Sequence, residues 1–100
     1  MIKVTVLYGH PKDSTAFENY YSTNHLDIVS IMTGHKKLEL TKFINNPDGS
    51  KPEYYRMTEF WYTSLESMQK AMSSPEGQAA ADDLSHFATG GVTIVLGEVM

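Results

Sequence analysis

The sequence predicts an α+β domain with the element order β-α-β-β-α-β, in which four strands form one antiparallel sheet with both helices on one of its faces. Three observations lead there. Apolar and polar residues alternate with period two in four separate stretches, near 2–8, 36–44, 53–62 and 92–96. Between the first and second stretches, and again between the third and fourth, apolar residues recur at three- and four-residue spacing instead. The two middle strands are joined by a short segment of turn residues, which implies an antiparallel hairpin.

In the first strand Ile2, Val4, Val6 and Tyr8 face one way, with Lys3, Thr5 and Leu7 on the other side. Gly9-His10-Pro11-Lys12-Asp13-Ser14 is a loop, and Asp13 or Ser14 is a good helix N-cap. A helix over about 15–32 follows, with Phe17, Tyr20 and Tyr21, Asn24, Ile28 and Ile31 on its apolar side and Gly34 as a stop. Leu38, Leu40, Lys42 and Ile44 alternate with Glu39, Thr41 and Phe43 in the second strand. Asn45 to Pro52 is turn chemistry throughout, and the third strand is rich in aromatics: Tyr54, Tyr55, Phe60, Trp61 and Tyr62. Thr63-Ser64-Leu65-Glu66 resembles a capping box, and Ser74-Pro75 restarts a helix to about 87. Gly90-Gly91 ends it, and Val92, Ile94 and Leu96 alternate in the last strand. This is the split βαβ, ferredoxin-like arrangement, with right-handed crossovers.

A chain of 100 residues is expected to be a single domain, 1–100. The net charge of -4, with no strong basic cluster, points away from nucleic acid and from an anionic membrane surface. With no cysteine, disulfides, thiolate metal sites and a cysteine nucleophile are excluded, which fits a cytoplasmic location. No stretch approaches the ~20 apolar residues of a spanning helix. Bulky apolar residues occupy both faces of the strands, for example Leu7 beside Val6 and Trp61 beside Phe60. Helices cover only one face, so a homodimer that buries the other is expected.

Chemistry is sparse. His25 stands on the stripe Tyr21, His25, Ile28, Met32, where an imidazole can serve as acid, base or hydrogen-bond donor. Glu59 shares a strand face with Tyr55, Met57 and Trp61, and reads equally as a cleft carboxylate or as an interface ion pair. One of Asp82 and Asp83 can face the core and hydrogen-bond His25. His10 reads as a surface residue, and His35 as a partner for the C-terminal end of the first helix. There is no Gly-rich phosphate loop, no His-Glu-x-x-His, no Gly-x-Ser-x-Gly and no two histidines at i, i+4; neither a metal nor another cofactor is expected.

The strand Ile2–Tyr8, the segment Phe17-Glu18-Asn19-Tyr20-Tyr21-Ser22-Thr23-Asn24-His25-Leu26, the stretches Phe60–Met68 and Ala81–Phe87, and the ending Gly97-Glu98-Val99 together resemble the EthD family, named after a protein associated with ether degradation. The aromatic pair followed by a histidine is the most specific piece. The resemblance implies a dimeric α+β barrel in which two ferredoxin-like sheets pack face to face. Its wider superfamily holds cofactor-independent monooxygenases, cyclases, isomerases and haem-handling enzymes, so function does not follow from fold. Carried over, the family's helix histidine falls on His25, and the acidic and aromatic residues of its last helix on Asp83 and Phe87. Two positions depart from the pattern: Asp27 stands where a proline is common, and Glu59 where a second histidine is common. A His25–Glu59 acid/base pair is the alternative to a two-histidine site.

The functional expectation is therefore a cleft beside His25 that binds or transforms a small aromatic or apolar molecule. Glu59 or Asp83 would set the histidine's tautomer, and Tyr8, Tyr21, Trp61 and Phe87 would form the walls. The alternatives are haem ligation by His25 or His86, and a non-catalytic dimerisation or ligand-binding module in which Glu59 is an interface salt bridge.

Overall fold

The structure, a computed structural model, describes residues 1–100. Strands β1 (Ile2–Tyr8), β2 (Lys37–Lys42), β3 (Arg56–Tyr62) and β4 (Val92–Glu98) form one antiparallel sheet in the order β2-β3-β1-β4. The crossover from β1 to β2 passes over β3, and that from β3 to β4 passes over β1, which is the ferredoxin-like topology. Ile2 lies opposite Tyr62 and Glu98, and Tyr8 opposite Arg56 and Val92. The pleat then sends even-numbered residues of β1, β3 and β4 toward the helices and odd-numbered ones to the open face. No helix is long and apolar enough to cross a membrane.

The first helical segment is three pieces rather than one: α1 (Ser14–Tyr20), a π-helical turn (Tyr21–His25) and α2 (Leu26–Ser30). Asp13 is the N-cap and accepts from the Ala16 N–H at 3.1 Å. In the wide turn the Leu26 N–H reaches back five residues to the Tyr21 carbonyl. Side-chain hydroxyls help to hold it open, Ser22 donating to the Glu18 carbonyl and Thr23 to that of Asn19. The turn directs Tyr21 and His25 into the core and leaves Asn24 exposed, so Asn24 does not join the apolar stripe.

The second helical segment is α3 (Leu65–Ser73), α4 (Pro75–Asp83) and a 3-10 turn (Leu84–His86). The capping box at its start runs between Ser64 and Ser67, not Thr63 and Glu66. Ser74 joins the two helices: its hydroxyl donates to the Ala71 carbonyl at 2.6 Å and accepts from the Gly77 N–H at 3.1 Å, with Pro75 in the first turn. A Cβ on Gly77 would collide with the Ala71 carbonyl, so the close approach of α3 and α4 requires glycine there.

β2 and β3 are shorter than the alternation over 36–44 and 53–62 predicts. Single backbone bonds, Phe43 N–H to Tyr55 and Tyr55 N–H to Tyr8, continue the pairing beyond them. The core between sheet and helices is aromatic. Tyr8, Phe17, Tyr21 and Phe87 meet one another at centroid separations of 5.1 to 5.9 Å, geometries worth about 0.5–1.5 kcal/mol per pair beyond burial. Glu18 of α1 grips Arg56 of β3 through two hydrogen bonds, 2.6 and 3.0 Å, while the guanidinium lies 4.7 Å from the Tyr21 ring centroid.

Candidate functional site

His25 points from the end of the π turn toward the sheet, only 4 % exposed. Its Nδ1 lies 3.0 Å from one carboxylate oxygen of Asp83, itself 7 % exposed at the end of α4. The other oxygen of Asp83 accepts from the Tyr20 hydroxyl at 2.6 Å. The Phe87 ring packs 4.6 Å from the imidazole, and Tyr21 stacks on it at 5.8 Å.

Burial lowers the pKa of His25 below its ordinary value, and the hydrogen bond and charge of Asp83 oppose that shift without overcoming it. The ring is therefore neutral at pH 7. A carboxylate facing Nδ1 selects the tautomer with the proton on that nitrogen, because an ionised carboxylate only accepts. Nε2 then carries a lone pair and makes no hydrogen bond within the chain.

Beside His25 is a cavity of about 70 Å³ between sheet and helices. Val4, Val6, Tyr8, Thr58 and Phe60 form its sheet wall, while Val29, Met32, Met72, Ala80 and Leu84 close it from the helices. Ile94 of the edge strand β4 also lines it and is 52 % exposed, so the cavity reaches solvent on that side. No charged side chain lines it. Thr58 Oγ1 is 3.2 Å from the Tyr21 hydroxyl, and burial raises the pKa of both Tyr8 and Tyr21, which keeps these phenols neutral. An apolar space with one imidazole and the hydroxyls of Tyr8 and Thr58 in its lining can hold a small uncharged molecule and remove or receive one proton.

A second depression, about 240 Å³, lies on the outer side of Tyr20 and Phe87, with Lys12, Asp13, His86 and Thr89 on its rim. A haem macrocycle is larger than either space. Nowhere do three or more His, Asp or Glu residues converge in a way that would hold a metal ion.

Of the residues singled out by sequence, His25 and Asp83 meet, with Tyr8 in the cavity wall and Tyr21 and Phe87 packed directly behind the imidazole. Glu59 and Trp61 are not brought to them. Both have odd numbers in β3 and lie on the open face, the far side of the sheet from His25. Glu59 pairs with Lys3 at 3.0 Å, and Trp61 lies under the ammonium groups of Lys3 and Lys37. Within one chain there is no His25–Glu59 pair, and Asp83 alone faces Nδ1. His10 is not free at the surface; its Nε2 lies 2.7 Å from the Pro52 carbonyl and its ring packs on Tyr55. His35 packs edge-on against Phe60 rather than serving the helix end.

Sequence reasoning missed Thr58 and Ile94, and it missed the contact of Tyr20 with Asp83. Strand alternation does put Thr58 on the face of Phe60 and Tyr62, so it was findable. Tyr20 stands in the aromatic pair that precedes His25; its bond to Asp83, a contact across 63 residues, was not legible.

A family model described as the EthD domain matches residues 10–91, which run from the loop after β1 to the glycine before β4. The chain is 37 % identical over 95 residues to an uncharacterized 11.0 kDa protein from the thcB-thcC intergenic region of Rhodococcus erythropolis, covering 95 % of this chain and 91 % of that one. The crystal structure of an ethyl tert-butyl ether d (EthD) family protein from Bacillus halodurans is similar over 100 % of this chain and 99 % of the other, with a TM-score of 0.91 and 33 % identity. A dimeric protein of unknown function and ferredoxin-like fold from Bacteroides fragilis is similar in fold, at TM-score 0.69 and 16 % identity over 98 % of this chain and 95 % of that one. On the family match and these two close relatives, this chain belongs to the EthD family.

Proposed function

We propose that the cleft between sheet and helices binds a small, uncharged aromatic or apolar molecule carrying one weakly acidic group, and that His25 exchanges a proton with that group. The observation that carries this reading is a buried histidine beside an apolar cavity whose Nδ1 faces Asp83 and whose Nε2 makes no hydrogen bond within the chain. A proton taken at Nε2 produces an imidazolium whose charge is balanced by Asp83 across the 3.0 Å contact, so the charge separation falls inside the protein rather than in water. The cavity is smaller than the ~150 Å³ engineered cavity known to admit benzene. An aromatic ring enters by displacing Met32 and Met72, unbranched side chains that repack at low cost.

Titration calorimetry with phenol tests this. Phenol should bind the parent protein and bind His25→Leu at least about tenfold more weakly, the equivalent of one lost hydrogen bond at ~1.4 kcal/mol. Equal binding by a folded His25→Leu protein removes His25 from the site.

The same reading includes a homodimer formed through the open sheet face. Leu7, Met57 and Trp61 are partly exposed there, Val95 is 47 % exposed, and the structurally similar Bacteroides fragilis protein is dimeric. Burying that band against a second copy would remove it from water.

A further inference from the structure

The cluster around His25 includes one group with no role in the reading above. The Tyr20 hydroxyl donates to Asp83 at 2.6 Å, closer than the 3.0 Å contact from Asp83 to His25. One carboxylate thus serves two donors, each on its own oxygen. Tyr20 precedes the π turn and His25 ends it, so the two side chains converge on Asp83 from one helical segment. Its ring is held at 5.5 Å and 20° on Phe87, which packs on His25 in turn, and at 6.3 Å and 19° on His86.

We propose that Tyr20 is a positioning residue for His25: its hydroxyl draws charge from Asp83 and fixes the carboxylate plane, and so governs how the imidazole presents Nε2 to the cleft and how strongly that nitrogen holds a proton. The physics is a competition for one anion. A carboxylate that already accepts a short hydrogen bond has less negative charge to offer a second donor, and it stabilises an imidazolium less. Without Tyr20 the full charge of Asp83 falls on His25, and its proton is held more tightly. The other titratable groups nearby are the neutral phenols Tyr21, on the same helical segment, and Tyr8, from β1; Arg56 of β3 lies beyond Tyr21, bound to Glu18. From the outer side His86 stacks on Tyr20, with Lys12 and Asp13 at the rim of the same depression. This inference rests on His25 being the ligand-facing group, but its test uses unliganded protein, so failure of phenol to bind leaves it standing.

The test is the titration of the His25 ring followed by nitrogen-15 NMR. In Tyr20→Phe, which keeps the stacked ring and loses only the hydroxyl, the midpoint should rise by about half a pH unit or more. With 3-fluorotyrosine at position 20, a stronger donor, it should fall below the parent's. An unchanged or lowered midpoint in folded Tyr20→Phe overturns the proposal. Should that variant not fold, an unchanged midpoint in the fluorinated protein overturns it equally.

Discussion

His25 is ordinary in composition and unusual in setting. A histidine 4 % exposed and facing a carboxylate could be read as a satisfied core residue, but only one of its nitrogens is satisfied. Burial at this residue leaves a mark on stability. Because the folded-state pKa is lowered, the unfolded chain takes up a proton first as pH falls below about 6.5, and folding stability declines there. Glu18 acts in a lower window. Arg56 holds its carboxyl below the usual range, so its contribution is present above about 4.5 and is lost as pH falls further. We therefore expect the melting temperature to fall in two stages on acidification, and the first stage to shrink in His25→Gln while the second remains. A first stage unchanged in His25→Gln would mean that another group titrates there. At this scale alternation put Tyr8 on the core face and helical spacing put His25 on the stripe beside it, while the choice of Asp83 over Asp82, and of Phe87, came from the family resemblance. Setting Glu59 and Trp61 in the cleft beside His25 ran against their odd numbering in β3, which already put them on the opposite face from Phe60 and Tyr62.

Among the elements, the π turn and the α3–α4 joint position the site. Neither the extra residue of the π turn nor its effect on Tyr20 follows from periodicity, although two adjacent hydroxyl residues in mid-helix, Ser22 and Thr23, were a signal. The joint was readable, since Ser-Pro at a helix start has a fixed meaning. Ser74 satisfies one backbone group of each helix, so Ser74→Ala should cost about 1–2 kcal/mol, near the upper range for a cap. For a domain of this size that lowers the melting temperature by roughly 4–16 °C, measurable by differential scanning calorimetry. A change below 2 °C would show that the hydroxyl caps neither helix.

For the whole molecule, the predicted element order and one-sided helices match the structure because hydrophobic period alone separates strands from helices in this chain. The open face is mixed, as the alternation of Lys3, Thr5 and Leu7 in β1 already shows. Leu7, Met57, Trp61 and Val95 are interspersed with Thr5 and the Lys3–Glu59 pair, so the second layer it calls for must accept an ion pair as well as apolar surface. On the dimer reading, Met57→Asp introduces a further charge into that face and should shift sedimentation toward a monomer at micromolar concentration. A parent protein that sediments as a monomer would remove the dimer. Ile94 and Leu96, 52 % and 58 % exposed on the helix side of β4, stay outside that face, so such a dimer leaves the Ile94 side of the cavity uncovered.

The proposed chemistry depends on a neutral His25 that offers a bare Nε2 to the cleft. Long-range nitrogen-15 spectra of the ring near pH 7, recorded without and with phenol, address it most directly. We expect a proton on Nδ1 and none on Nε2, with the Nε2 resonance moving when phenol is added. A proton on Nε2 in the free protein, or an Nε2 resonance indifferent to saturating phenol, would contradict it.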